Sequence, residues 1–234
     1  MTVASALKRL RNSLANSAGT VVFGMEDGTV SIFGLIFGVA ATTTNTATVL
    51  IAGASGAVAA AVSMMAGAYL DVETTRDKID ANRALLQADL TLDSAAATAS
   101  LSNRLAAAGL TPQQTAALAG AVQNDRQAFG GLLLALRGTP DTPQDPWEQA
   151  LWMLLADFLA SAVPILPFVF VPIPQARIIS GAVTLALLVV LGIGRARIAK
   201  RSTGRTVAET VSIGIAAALA GVIIGVLIDR GFKH

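Results

Sequence analysis

The chain has no cysteine, and its single histidine, His234, is the last of its 234 residues. The absence of cysteine excludes disulfides, thiolate metal ligands and cysteine nucleophiles. The absence of an internal histidine excludes a Ser-His-Asp triad and an imidazole zinc site. We therefore expect a protein that is not an enzyme and that has no tightly bound cofactor.

Charge is also scarce. Charged residues make up 14% of the chain, against about 25% in ordinary soluble domains, whereas hydrophobic residues make up 53%. This balance indicates that lipid solvates much of the chain. The net charge is only +2, and the basic residues cluster beside apolar runs, a pattern typical of membrane orientation rather than of nucleic-acid binding.

Five apolar runs are long enough to cross a bilayer, which takes about 20 helical residues. No strand pattern is present, so the sequence predicts an all-α integral membrane protein with five transmembrane helices. The predicted spans are Ala18 to Thr42, Ala47 to Leu70, Gln149 to Val171, Ile173 to Ile193 and Val207 to Ile228.

The distribution of basic residues predicts the orientation. If the N-terminus is cytoplasmic and the C-terminus outside, 14 of the 17 Lys and Arg residues fall on the inside, and only Arg177, Arg230 and Lys233 fall outside. The positive-inside rule favours this arrangement, most strongly through the short basic turn between spans four and five. We therefore expect the protein in the cell (inner) membrane with its N-terminus in the cytoplasm.

Four segments follow from these spans: 1–17, 18–75 with spans one and two, 76–147, and 148–234 with spans three to five. Leucines at helical spacing opposite basic residues predict an amphipathic helix in 1–17, lying on the inner membrane surface; a polar leader is the alternative. The segment 76–147 is predicted to be a cytoplasmic helical insert. Within it, Thr111 can cap a helix that starts at Pro112.

Glu26 and Asp27 lie about eight residues into span one, or roughly 12 Å from its start. An ionisable group at the centre of a membrane helix costs roughly 2.5 to 3.5 kcal/mol, so each is a functional candidate. Gly24, Gly28, Gly34 and Gly38 form two G-x-x-x-G steps that allow another helix to approach closely. We predict a cation site at a helix–helix contact; alternatively, Asp27-Gly28 breaks the helix in a water-filled cavity.

Three further sets of residues are candidates. Met64 would supply a soft thioether ligand that, with a carboxylate, suits Fe²⁺, Mn²⁺ or Co²⁺ better than Mg²⁺, although methionine here can also be packing alone. Asp157 in span three is a candidate proton carrier, or a carboxylate kept wet near Trp152. The acids that follow span two could attract cations or form a salt-bridged surface; they are Glu73, Asp77, Asp80, Asp89 and Asp93.

Two segments resemble the vacuolar iron transporter family. GMEDGTVSIFGLIFG, residues 24–38, is similar to that family's first helix, in which D-G-hydrophobic-V-S precedes a glycine-rich run. SMMAGAYLDVETTR, residues 63–76, is similar to the end of its second helix. The spacing of the two motifs, the helical insert and the five-helix count agree with the family.

The resemblance implies a homodimer that moves Fe²⁺ or Mn²⁺ out of the cytoplasm in exchange for protons. The implied ion path follows the dimer axis and is lined by Asp27 and Met64 of both subunits. Independently of the resemblance, Glu26 is a candidate further metal ligand or proton carrier. The implied partners are therefore membrane lipid, the transported divalent metal ion, protons and a second copy of the chain, with no nucleic acid.

The chain departs from the family at three places. Ala68 replaces a glutamate of the second helix, the insert has scattered aspartates instead of a dense glutamate cluster, and Glu26 replaces a small or polar residue. Ala68 supports one alternative, a structural or regulatory membrane protein that has the same fold but does not transport metal.

Overall fold

A computed structural model describes residues 3–92, 94–122, 125–136 and 145–232, and all regular structure within these ranges is helical. The chain divides into one unit of Met1–Leu70 and Asp145–His234 and a second of Asp71–Gln144. The helices are α1 (Val3–Asn16), α2 (Ala18–Thr42), α3 (Thr46–Leu92), α4 (Ser94–Ala107), α5 (Pro112–Val122), α6 (Arg126–Leu136), α7 (Pro146–Ile165), α8 (Pro167–Phe170), α9 (Ile173–Ile198) and α10 (Thr203–Phe232).

Five of these helices are long and apolar enough to cross a membrane, which confirms the predicted number of spans. They are α2, the Thr46–Ala81 part of α3, α7, α9 and α10. The first span has the predicted bounds, Ala18–Thr42. The chain is thus an all-helical integral membrane protein.

The third span ends earlier than the sequence predicted. Asp145 caps α7 by accepting a hydrogen bond from the Trp147 backbone N–H at 2.9 Å, and the helix ends at Ile165 rather than near Val171. Pro167 has no N–H to continue the α-helical ladder, so it starts the separate four-residue helix α8. The predicted single span therefore contains a helix end that its hydropathy does not reveal.

In the first unit, α2 lies against α7, α9 and α10, and its glycines make two of these contacts possible. A Cβ atom at Gly24 would stand 3.3 Å from the Ala156 Cβ on α7, and one at Gly38 would stand 2.6 Å from the Gly221 carbonyl oxygen on α10. The predicted close approach at both G-x-x-x-G steps is confirmed. Because α2 is continuous through Asp27 and Gly28, the alternative of a broken helix is wrong.

An apolar cluster joins the C-terminal half of α2 to the start of α3, to α8 and to the start of α9. Ile32 and Ile36 of α2, Val49 of α3, Phe168 of α8 and Ala176 of α9 are its buried members. By contrast, many apolar side chains elsewhere on the spans are exposed, as expected of surfaces that face lipid.

The α1 helix has the predicted amphipathic character, since Leu7, Leu10 and Leu14 on one side are exposed apolar residues. Trp152 of α7 donates a hydrogen bond from Nε1 to the Ser13 Oγ at 2.8 Å. This hydrogen bond connects α1 to α7, while the leucines of α1 are free to contact lipid.

The second unit has its own small core, formed by Leu101, Leu105, Ala119, Phe129 and Leu133. Thr111 caps α5 as predicted. Its backbone N–H donates to the Gln114 Oε1 at 2.9 Å, and the Gln114 N–H donates to its Oγ1 at 3.4 Å. The insert is helical where it is described; its cytoplasmic location stays a prediction.

Candidate metal site

A cavity of about 370 Å³ lies between α2, α9 and α10 and contains both carboxylates of the Glu26-Asp27 pair. The two residues follow each other on α2, and each is half-buried. Most of the remaining wall is apolar. The lining residues besides this pair are Gly19, Val22, Phe23, Val30, Arg195, Ile198, Ala199, Thr210 and Ile213.

Each of the two other helices of the cavity contributes one polar contact to the Glu26 carboxylate. Its Oε2 lies 3.4 Å from the Arg195 Nη1 of α9, and its Oε1 accepts a hydrogen bond from the Thr210 Oγ1 of α10 at 3.1 Å. Only 12% of the Glu26 side chain is exposed. The negative charge of Glu26 is therefore balanced within the protein.

Asp27 has no such partners. Among the described residues, none donates a hydrogen bond or forms a salt bridge to its carboxylate. An unpaired carboxylate in an apolar cavity is costly unless a cation binds it. Of the two adjacent acids, Asp27 is thus the one with free coordinating oxygens.

A second acidic group within the spans is Asp157 of α7. It is completely buried on α7, and neither of its carboxylate oxygens has a hydrogen-bond partner in the described part of the chain. The alternative that Asp157 stays wet near Trp152 does not fit this burial. Gly28, the residue after Asp27, packs directly against the Asp157 backbone oxygen.

Other buried polar groups on these spans are also unsatisfied. The hydroxyl groups of Thr29 on α2, Ser161 on α7 and Thr184 on α9 lack hydrogen-bond partners among the described residues. Ser161 is one helical turn from Asp157, and both residues face Gly28 of α2. Such groups normally find partners when they are buried, so Asp157 and these hydroxyl groups are candidates for function.

The methionines lie elsewhere in the protomer. Met64 and Met65 are half-buried on α3, as is Ala68, and neither methionine lines the cavity of Asp27. A single protomer therefore does not bring the predicted Asp27–Met64 pair into one described cavity.

The acids that follow span two form no metal cluster in the described residues. Glu73 is half-buried on α3, and Asp77 and Asp80 are exposed. The Asp89 side chain and all of Asp93 lie outside the described residues. The residues that are described contain no group of three or more His, Cys, Asp or Glu side chains able to hold a metal ion.

Sequence reasoning missed Arg195 and Thr210, since the first was assigned only to orientation and the second was not considered. It also missed Gln149, which donates to the Ser17 Oγ at 3.0 Å and accepts from the Thr20 Oγ1 at 2.6 Å. The available signal was a polar side chain inside or at the end of an apolar run, which marks a group that needs a partner.

Gly28 provides a test of the α2–α7 contact. A Cβ atom there would stand 2.7 Å from the Ser161 Oγ and would overlap the backbone oxygen of Asp157. We expect Gly28→Ala to destabilise the protein by about 1 to 3 kcal/mol, as overpacking does. Thermal unfolding in detergent measures this, and Gly181→Ala is the control because its Cβ would meet only Phe37, at an ordinary 3.5 Å. Equal stability of the two variants would contradict the close contact.

Comparison with known proteins adds to this geometry. The sequence model of the VIT family matches residues 18–226. This range contains every residue of the cavity, Asp157 and the three residues with unsatisfied hydroxyl groups. Vacuolar iron transporter 1 of Tulipa gesneriana is 28% identical over 180 residues, which are 76% of this chain and 73% of the relative. Vacuolar iron transporter 2 of Oryza sativa subsp. japonica is 27% identical over 184 residues, or 76% and 73% of the two chains. Vacuolar iron transporter 1 of Eucalyptus grandis is 24% identical over 179 residues, or 75% and 72%.

Proposed function

Because the chain belongs to the VIT family, we propose that it moves a divalent transition metal, Fe²⁺ or Mn²⁺, out of the cytoplasm in exchange for protons. The family and the relatives named as vacuolar iron transporters support metal ion transport as the general function. The observation that carries the proposal is the Asp27 carboxylate, which lies unpaired in a membrane-spanning helix and in a cavity with mainly apolar walls.

In this proposal Asp27 is the central ligand, and a second copy of the chain completes the coordination. One protomer offers too few ligands, since its described residues contain no cluster of three metal-ligating side chains. Two-fold symmetry would supply two Asp27 carboxylates and two Met64 thioethers. Such a mixed set favours Fe²⁺, Mn²⁺ or Co²⁺ over Mg²⁺, which prefers oxygen ligands alone.

Glu26 and Asp157 have separate roles in this proposal, the first as a ligand and the second as the proton carrier. Glu26, which Arg195 and Thr210 contact at the cavity wall beside Asp27, is assigned as an additional metal ligand. Asp157 has no partner to stabilise a charge, and burying a carboxylate without one costs far more than burying the neutral acid. We assign the exchanged proton to Asp157.

The proposed direction depends on the orientation of the chain in the membrane. Arg195 and Arg197 end α9, Lys200 and Arg201 lie in the connection, and Arg205 lies in the first turn of α10, which places five positive charges at one short connection. The positive-inside rule then assigns this connection and the N-terminus to the cytoplasm. Glu73, Asp77, Asp89 and Asp93 would be on the same side, where they could attract cations to the path.

The proposal is tested by transport measurements on reconstituted protein. Proteoliposomes with an imposed pH gradient are given Fe²⁺, Mn²⁺, Co²⁺ or Mg²⁺, and metal and proton movements are recorded together. We expect movement of the transition metals with opposite proton flow and none of Mg²⁺; empty liposomes are the control.

The alternative is a transport-deficient structural or regulatory protein, and Ala68 in place of the family's glutamate is the observation that favours it. A metal titration of the purified protein separates the two functions, because a degenerate member shows neither binding nor competition among Fe²⁺, Mn²⁺ and Co²⁺. That result, together with no flux of any metal, would contradict transport.

A further inference from the structure

A positive side chain occupies the same cavity as the candidate metal ligands. Arg195 belongs to the last turn of α9, and its guanidinium lies 3.4 Å from the Glu26 carboxylate. The cavity lining includes Arg195 as its only cationic side chain among the described residues, together with the acids Glu26 and Asp27. The lining of the cavity therefore combines two acidic side chains with one basic side chain.

Arg195 differs from the basic residues that follow it. Arg197 and Lys200 are exposed, whereas Arg201 and Arg205 pair with Glu209 on the surface at 3.8 Å and 3.0 Å. Any of these positions would serve the orientation of the chain, since the positive-inside rule counts charges and does not need ion pairs. The contact of Arg195 with Glu26 thus requires an explanation beyond orientation.

A guanidinium and a divalent cation would compete for the same carboxylates. With Arg195 on Glu26, an ion that binds Asp27 experiences the positive charge across a small cavity with apolar walls, where electrostatic interactions are weakly screened. The Arg195 side chain is 38% exposed, so its long stem can carry the guanidinium away from Glu26 towards solvent. Glu26 would then be free to join Asp27 as a ligand.

We propose that Arg195 is an internal competitor of the transported cation, which holds Glu26 while the cavity has no metal and leaves Glu26 when metal binds Asp27. This inference rests on the proposed function and adds a means of release to it. A transport site must bind its ion strongly enough to capture it and weakly enough to let it go. By returning to Glu26, Arg195 lowers the affinity and expels the ion.

The test compares metal affinity in three variants of the full-length protein, titrated with Mn²⁺ after purification. Arg195→Gln removes the charge but keeps a group that can donate to Glu26, and it should raise the affinity about 10- to 100-fold while slowing turnover in proteoliposomes. Arg195→Lys keeps the charge and should bind more weakly than Arg195→Gln. Arg205→Gln is the matched control, because it removes a charge from the exposed pair with Glu209 outside the cavity and should leave the affinity at the wild-type value.

Arg195→Gln leaves the charge of Glu26 without its counterion, and a second pair of variants controls for a folding defect from that loss. In a Glu26→Gln background position 26 needs no counterion, and adding Arg195→Gln should again raise the affinity relative to Glu26→Gln alone. Unchanged or weaker Mn²⁺ binding in both backgrounds would overturn the role of Arg195 while leaving transport intact. Failure of the wild-type protein to bind metal would instead overturn the proposed function and this inference together.

Discussion

Replacing Asp27 with asparagine is expected to abolish metal flux and to weaken metal binding by roughly three orders of magnitude. The substitution keeps the shape of the side chain and removes only its charge. Two unit charges 4 Å apart attract by about 4 kcal/mol at the effective dielectric near a protein surface, and a divalent ion is attracted more strongly, so the loss is at least roughly a thousandfold in affinity. Because Asp27 has no partner among the described residues, its replacement breaks no contact that could explain a loss through misfolding.

The measurement is metal uptake by proteoliposomes together with a titration of the purified protein. Glu209→Gln is the control, since Glu209 is also an acid of a membrane-spanning helix but pairs with Arg201 and Arg205 outside the cavity. It should retain wild-type flux. Wild-type transport by Asp27→Asn would remove this carboxylate from the ion path.

Replacing Asp157 with asparagine is expected to uncouple metal movement from protons without abolishing metal binding. A pH difference of two units is worth about 2.7 kcal/mol for each proton exchanged, enough for up to roughly a hundredfold metal accumulation. A neutral amide cannot carry a proton, so the variant should equilibrate metal across the membrane but should not accumulate it. Asparagine resembles the neutral acid, and we therefore expect the thermal stability to change little.

Two readings distinguish this outcome from a structural effect. Downhill metal flux and Mn²⁺ affinity should persist in Asp157→Asn, whereas the alkalinisation or acidification that accompanies metal movement should disappear. Ser161→Ala is a useful companion, since it removes a neighbouring hydroxyl but keeps the carboxyl group, and it should still accumulate metal. Proton-coupled accumulation by Asp157→Asn would show that the exchanged proton uses another group.

The five spans could be predicted because the bilayer imposes a minimum apolar length, and only helices satisfy the backbone over that length. The first span agreed to the residue, and Thr111 capped α5 as its sequence indicated. The end of the third span was missed because hydropathy averages over Pro167, whose effect is local. Likewise, Asp27-Gly28 has the composition of a helix break, but the contact with α7 uses Gly28 for close packing instead.

The candidate site was only partly predictable. The sequence identifies Asp27 and Asp157 as ionisable groups within apolar runs, since their cost in lipid can be read from position alone. It does not identify the partner of Glu26, because Arg195 is 169 residues away and the contact depends on how α2 and α9 cross. The burial of Asp157 and of the unsatisfied hydroxyl groups also depends on how the helices pack, which the sequence does not reveal. The Asp27–Met64 pairing remains a prediction that involves a second subunit.

The glycine contacts between α2 and α10 constrain how the molecule can change shape. Gly34 and Gly38 of α2 face Ala217, Gly221 and Gly225 of α10 with backbone against backbone, so few side chains separate the two helices over this stretch. Sliding or rotation there would bring carbonyl groups against Cα atoms. We therefore expect the C-terminal half of α2 and the facing part of α10 to move together if the exposure of the Asp27 cavity changes.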